Sequence, residues 1–124
     1  MKRIRLVIVA AWIMALGAAC QGQAGPKVPF PIGTFASPVR GGVTQEFSAD
    51  GTYVVNFPGH NPHTGTYVVS GDEVVMTDDN EICAGVPGKY QWAFDGRMLS
   101  FTAIDDPCAT RRIDWPADAW TQRP

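Results

Sequence analysis

Apolar and polar residues alternate with a period of two through most of the chain from Val43 to Thr102, and turn residues break the alternation. Three turns carry a register. Ala49-Asp50-Gly51 suits a three-residue hairpin with Gly51 left-handed, placing Phe47 opposite Tyr53 and Val43 opposite Phe57. Gly71-Asp72 suits a two-residue loop that pairs Val69 with Val74 and Tyr67 with Met76. Asp95-Gly96 suits another, pairing Trp92 with Leu99 and Tyr90 with Phe101. All three registers gather large apolar side chains on one face, which is what fixes strand pairing in a half-buried sheet. That face comprises Phe47, Tyr53, Val55, Phe57, Tyr67, Val69, Val74, Met76, Tyr90, Trp92, Phe94, Leu99 and Phe101. The other face is mostly Thr, Ser, Asn and Gln, diluted by Val54, Val68 and Val75. No long amphipathic helix interrupts the pattern. The predicted class is all-β.

A sheet of six or more strands with one apolar face must cover that face. Hairpin-after-hairpin order favours an antiparallel up-and-down meander closed into a small barrel, which leaves no open edge. A two-sheet β-sandwich is the alternative. In a meander, alternate connections fall at opposite ends. The tight turns at Asp50-Gly51, Gly71-Asp72 and Asp95-Gly96 then share one end, and the long connections 58–65 and 79–88 share the other. The segment holding Cys108 belongs to that second end, so Cys83 and Cys108 come within bridging reach.

The first residues add an address. Lys2, Arg3 and Arg5 precede an apolar run from Leu6 to Ala19, too short to span a bilayer, which needs about 20 residues. That is the layout of an export signal. Its end, Gly17-Ala18-Ala19-Cys20, resembles the lipobox of bacterial lipoproteins, although Gly17 stands where Leu is commonest. The resemblance implies cleavage before Cys20 and acylation of that cysteine. With Gln21 rather than Asp following, it also implies outer-membrane sorting in a cell with two membranes. Ordinary signal-peptidase cleavage, giving a secreted or periplasmic protein, is the alternative. The expected organisation is a signal peptide over 1–19, a lipid-anchored cysteine with a Pro- and Gly-rich tether over 20–32, and one barrel domain over 33–124.

Setting Cys20 aside leaves an even pair, Cys83 and Cys108, in a compartment that permits disulfides. Two free thiols or a shared metal would need further ligands, and none lies nearby. Behind the leader, seven lysines and arginines against twelve acids give a net charge of −5 with no basic stripe. That balance excludes nucleic acid as an expected partner.

Several short motifs, taken in order, resemble a lipocalin-like (calycin) small barrel of the kind found in uncharacterised bacterial lipoproteins. They are Gly33-Thr34-Phe35 before the first strand, Gly65-Thr66-Tyr67, Tyr90-Gln91-Trp92, and Asp106 to Arg111 around Cys108. The resemblance spans roughly Gly33 to Trp120 and implies a structural pair in which a late arginine, Arg111 or Arg112, packs across Phe35. Here the aromatic is Phe rather than Trp. Lipocalin topology also puts the first hairpin turn at the open mouth. Loop lengths put the roomier connections at the end away from Asp50-Gly51, so which end opens is left undecided.

The interior supplies the candidate site. Tyr53, Tyr67, Tyr90, Trp92 and Phe101 point inward, and Gln45 joins them opposite Val55. Apolar walls with a few polar groups hold small hydrophobic ligands; small barrels are also filled by their own side chains. Both readings stand at this point. His60 and His63 form H-N-P-H but lack the third and fourth ligands of a zinc site, and Asp78-Asp79-Asn80-Glu81 lacks the spacing of a calcium loop, so both read as solvated turns. Asp105, Asp106, Arg111 and Arg112 read as braces for one barrel end, and Trp115 or Trp120, near one helical turn over 114–120, as its plug.

No nucleophile elbow, phosphate loop or helix-borne zinc motif occurs, so neither catalysis nor a cofactor or metal is expected. The expectation is an envelope lipoprotein, bound to the bilayer through Cys20, whose barrel takes a small hydrophobic ligand. The alternative is a ligand-free structural or protein-interaction module of the envelope.

Overall fold

A computed structural model describes residues 28–117 and 119–124. The leader, Cys20 and most of the expected tether lie outside the described residues. Eight antiparallel strands close into a barrel in sequence order: β1 (Gly33–Ala36), β2 (Thr44–Phe47), β3 (Thr52–Asn56), β4 (His63–Ser70), β5 (Glu73–Asp78), β6 (Pro87–Phe94), β7 (Met98–Asp105) and β8 (Trp120–Gln122). One short helix, α1 (Ala109–Asp114), lies between β7 and β8. The segment Gly33-Thr34-Phe35 is itself a strand rather than a lead-in to one. β1 pairs with β2 on one side and with β8 on the other, and that pairing closes the sheet.

Two of the three expected registers are present, although the β2–β3 ladder begins at Thr44 and Asn56 and does not include Val43 and Phe57. Phe47 faces Tyr53, with Gly51 at φ 86° in the turn, where a left-handed backbone favours glycine. Asp50 accepts from the Thr52 hydroxyl and backbone N–H, which holds its carboxyl below the usual range. Val69 faces Val74 and Tyr67 faces Met76. The third register is corrected: Trp92 pairs with Phe101, and Phe94 with Leu99. Asp95 is the cause, because its carboxylate accepts from the backbone N–H of both Arg97 (2.9 Å) and Met98 (2.7 Å) and so opens the turn. The slip is two residues, which leaves every side chain on its expected face. A second irregularity between Lys89 and Tyr90 shifts the ladder again.

Phe35, Phe47, Tyr53, Val74, Met76, Tyr90, Leu99, Phe101, Trp115 and Trp120 form the centre of the core. Val69 keeps its expected face, paired with the wholly buried Val74, but is 36% exposed. The tail also differs from expectation. The helix occupies 109–114, while Trp120 sits on the closing strand. Asp106 Oδ1 accepts from Cys108 N at 2.9 Å, and the Cys83–Cys108 disulfide (Cα–Cα 5.9 Å) fixes the same residue, so the helix starts there. Trp115 plugs the interior, with ring centroids 5.3 Å from Phe101 and 5.6 Å from Tyr53.

The two barrel ends differ sharply. At the tight-turn end, Phe30 packs against Phe47 (5.0 Å), Trp92 (5.1 Å) and Tyr67 (5.2 Å), so the last residues assigned to the tether belong to the packed domain. Tyr67 donates to Ser48 O at 2.6 Å and Trp92 Nε1 to Gly71 O at 3.1 Å, sealing that end with paired polar atoms. The opposite end carries the connections between β1 and β2, β3 and β4, and β5 and β6, together with α1.

Candidate functional site

A cavity of about 330 Å³ opens at the roomy end. Strand alternation supplies its walls. From β2 and its approach come Val43 and Gln45; from β3 come Tyr53 and Val55. Trp115 and Trp120 form the far wall, Arg40, His60 and Ile82 reach it from the connections, and His63 from the start of β4. His63 is not a loop residue: it begins β4, with its ring 5.0 Å from Phe57. The strand Gly33–Ala36 adds a hairpin ahead of the Asp50-Gly51 turn. The first connection of the barrel therefore lies on the cavity side.

Gln45 is wholly buried, as its inward register with Phe35 and Val55 requires. Neither its Oε1 nor its Nε2 has a hydrogen-bond partner among the described residues. Beside it in the lining stands a buried charged cluster. Arg111, 3% exposed, donates from Nε to Asp106 Oδ2 (2.7 Å) and from Nη2 to Asp106 Oδ1 (2.7 Å) and Val86 O (2.8 Å). Its Nη1 lies 3.1 Å from Asp78 Oδ2 without hydrogen-bond alignment. The hydroxyl of Tyr53 donates to Asp78 and that of Tyr90 to Asp106. One guanidinium thus serves two carboxylates.

The two carboxylates are pushed in opposite directions. Burial raises the pKa of Asp78, and the attraction of Arg111 offsets this only in part. Burial also acts upward on Asp106, but hydrogen bonds from Arg111, Tyr90 and Cys108 N together outweigh it and hold its carboxyl low. Burial and the bond to Asp106 raise the Tyr90 phenol, so it stays a proton donor. Gly88 lets the cluster pack: a Cβ there would lie 2.5 Å from Asp106 Oδ2 and 2.7 Å from Arg111 Nη2.

Of the residues proposed to line a ligand site, Gln45 and Tyr53 face the cavity. Tyr67 and Trp92 belong to the sealed end, Tyr90 to the charged cluster, and Phe101 to the core beneath Trp115. Phe35 and Arg111 have different neighbours: Phe35 meets Phe47 and Phe94 edge-on, and Arg111 is committed to the two aspartates. Arg112 stays exposed and donates to Asp106 O at 3.1 Å. Asp105, the last residue of β7, is exposed, and Asp106, just beyond the strand, is buried. The reading of 78–81 as a solvated turn is corrected at its first residue, since Asp78 is 7% exposed and paired. Its signal lay in the period of two, for Asp78 continues the inward series Val74, Met76.

No protein-family model, curated protein or solved structure matches the chain. Among the described residues no three His, Cys, Asp or Glu side chains are grouped to hold a metal ion. The site offers a recess with mostly apolar walls, a buried amide without a hydrogen-bond partner among the described residues, and a charge cluster whose members are engaged with one another.

Proposed function

We propose that this chain is an exported envelope lipoprotein, held to the bilayer by acylated Cys20, whose lipocalin-like barrel binds a small, largely apolar molecule. The observation that carries the binding half is the cavity of about 330 Å³ with mostly apolar walls at the roomy end. Its size falls at the lower bound of small-molecule sites, roughly 300–1,000 Å³. A barrel whose side chains filled it completely would leave no such space. The anchoring half is supported by the leader and by Cys20 at its end, the cysteine left over once Cys83 and Cys108 are joined.

Native mass spectrometry of protein purified from its host tests the binding half. A retained small molecule is expected, and Val55→Trp, which fills the recess, should abolish retention while the barrel's circular dichroism persists. Retention unchanged in Val55→Trp would place the molecule elsewhere and overturn the reading. For the anchor, Cys20→Ser should move the protein from the membrane to the soluble fraction; unchanged membrane association overturns it.

A further inference from the structure

Gln45 raises a question that the apolar walls do not answer. Its side chain sits at 0% exposure between Phe35 and Val55 in the barrel register, and both of its polar atoms lack a protein partner. Buried amide groups are rarely left in that state, and each exception calls for a water, an ion or a ligand. Because Gln45 lines the cavity, the missing partner can come from the cavity's contents.

A carboxamide presents an acceptor oxygen and a donor nitrogen side by side. Its best complement is a group that also sets a donor beside an acceptor, so that two hydrogen bonds form at once. The surrounding charges bear on whether that group is ionised. Arg111 lines the cavity but is shared between Asp78 and Asp106, and Arg40 is joined to Asp114 at 3.0 Å. The buried guanidinium of Arg111 therefore brings two carboxylates with it. An anionic ligand would add a further negative charge to a cluster that already holds more acid than base.

We propose that the ligand of this cavity carries a neutral head group with a donor adjacent to an acceptor, of the carboxamide, lactam or imide kind, seated on Gln45. Its apolar remainder lies along Val55, Trp115 and Trp120. The assignment rests on the cavity being a ligand site and adds the chemical class that it selects.

Calorimetric titration of the intact protein with heptanamide, N,N-dimethylheptanamide and heptanoate tests it. The first offers donor and acceptor, the second an acceptor alone, and the third a negative charge. Heptanamide is expected to bind about tenfold more tightly than either of the others. Gln45→Leu should erase the preference for heptanamide over the dimethyl amide, while the discrimination against heptanoate, set by the Asp78–Asp106–Arg111 cluster, persists. The variant removes two unpaired polar atoms from an apolar setting, so it is expected to fold, and the preference of the unaltered protein is a readout that needs no variant at all. Equal binding of the three probes, or a preference for heptanamide over the dimethyl amide that survives Gln45→Leu, overturns the head-group assignment alone. A crystal structure in which waters on Oε1 and Nε2 persist with heptanamide bound does the same. Failure of all three probes to bind overturns both this assignment and the ligand-binding reading.

Discussion

Asp106→Asn strikes the buried cluster where it is most tightly bonded. The Asp106 carboxylate accepts from Arg111 Nε and Nη2, both at 2.7 Å, from Cys108 N at 2.9 Å, and from the Tyr90 hydroxyl. Asparagine replaces one of those oxygens with a donor, which then faces a guanidinium, a hydroxyl or an amide N–H. It also removes the charge that best compensates Arg111, and breaking a buried pair in this way costs roughly 3–5 kcal/mol. Asp78→Asn is the built-in contrast. Asp78 Oδ2 meets Nη1 at 3.1 Å without alignment, and burial already drives that carboxyl toward its neutral form. Its asparagine keeps an acceptor for Tyr53, so the expected loss is about 1 kcal/mol, the worth of an ordinary hydrogen bond. Urea unfolding followed by tryptophan fluorescence separates the two, since Trp115 and Trp120 are both in the core. With m near 1–3 kcal/mol/M, a loss of about 3 kcal/mol lowers the midpoint by roughly 1–3 M. An Asp78→Asn protein as unstable as Asp106→Asn would refute the assignment of Asp106 as the principal counter-charge.

The same cluster fixes a pH dependence. Asp78 has a raised folded pKa, so its contribution is fully present below the ordinary carboxylate value of 3.8 and is lost as pH rises through the folded value. Asp106 has a lowered one, so its contribution is present above 3.8 and is lost as pH falls through the folded value. Urea midpoints across the acid range should therefore fall less steeply with rising pH in Asp78→Asn and less steeply with falling pH in Asp106→Asn; profiles parallel to the unaltered protein would count against both. Reducing the Cys83–Cys108 bridge, which spans 25 residues, should cost about 3–4 kcal/mol in a thermal melt with and without reductant. A melting temperature indifferent to reductant would remove the disulfide from the stability argument. Gly65→Ala places a Cβ 2.5 Å from Thr77 O and from the Tyr53 ring, and overpacking of this kind costs about 1–3 kcal/mol. Stability equal to the unaltered protein would mean that β3 and β5 can separate there.

The class and topology were legible because period two and three turn motifs cover β2 through β7. β1 and β8 were harder: with four residues (Gly33–Ala36) and three (Trp120–Gln122), neither shows enough alternation to announce itself. The β6–β7 slip hid in one side chain, since Asp95-Gly96 reads as a two-residue turn until the Asp95 carboxylate captures Arg97 and Met98. Gln45 was legible as an inward polar residue from its place opposite Val55. Asp78 was equally inward by parity, yet its acidic neighbours masked it, because a run of acids reads as solvent-facing. The cavity itself could not be read. It is the space left between side chains, and its extent depends on how far Trp115 enters the barrel. That depth follows from where α1 begins, which the Cys108 bridge and the Asp106–Arg111 pair set.

Those last dependencies tie the cavity to residues far apart in the chain. The Cys83–Cys108 bond joins the β5–β6 connection to the start of α1, while Arg111, one turn on, clamps the end of β5 through Asp78 and the end of β7 through Asp106. These attachments, with the Arg40–Asp114 pair at its last residue, hold a helix of six residues, far too short to be stable alone. Its only described side-chain anchor in the core is Arg111, and the residue that follows the helix is Trp115. The helix therefore serves as a bracket that sets one wall of the cavity, and the strands set the other. This explains why an expensive buried arginine is present in so small a core. An apolar residue at that position could fill the same space, but it would leave Asp78 and Asp106 without a counter-charge and would not fix α1 to two strands at once. The charge cluster contributes position to the cavity, and Gln45 contributes a wholly buried amide neither of whose polar atoms has a hydrogen-bond partner among the described residues.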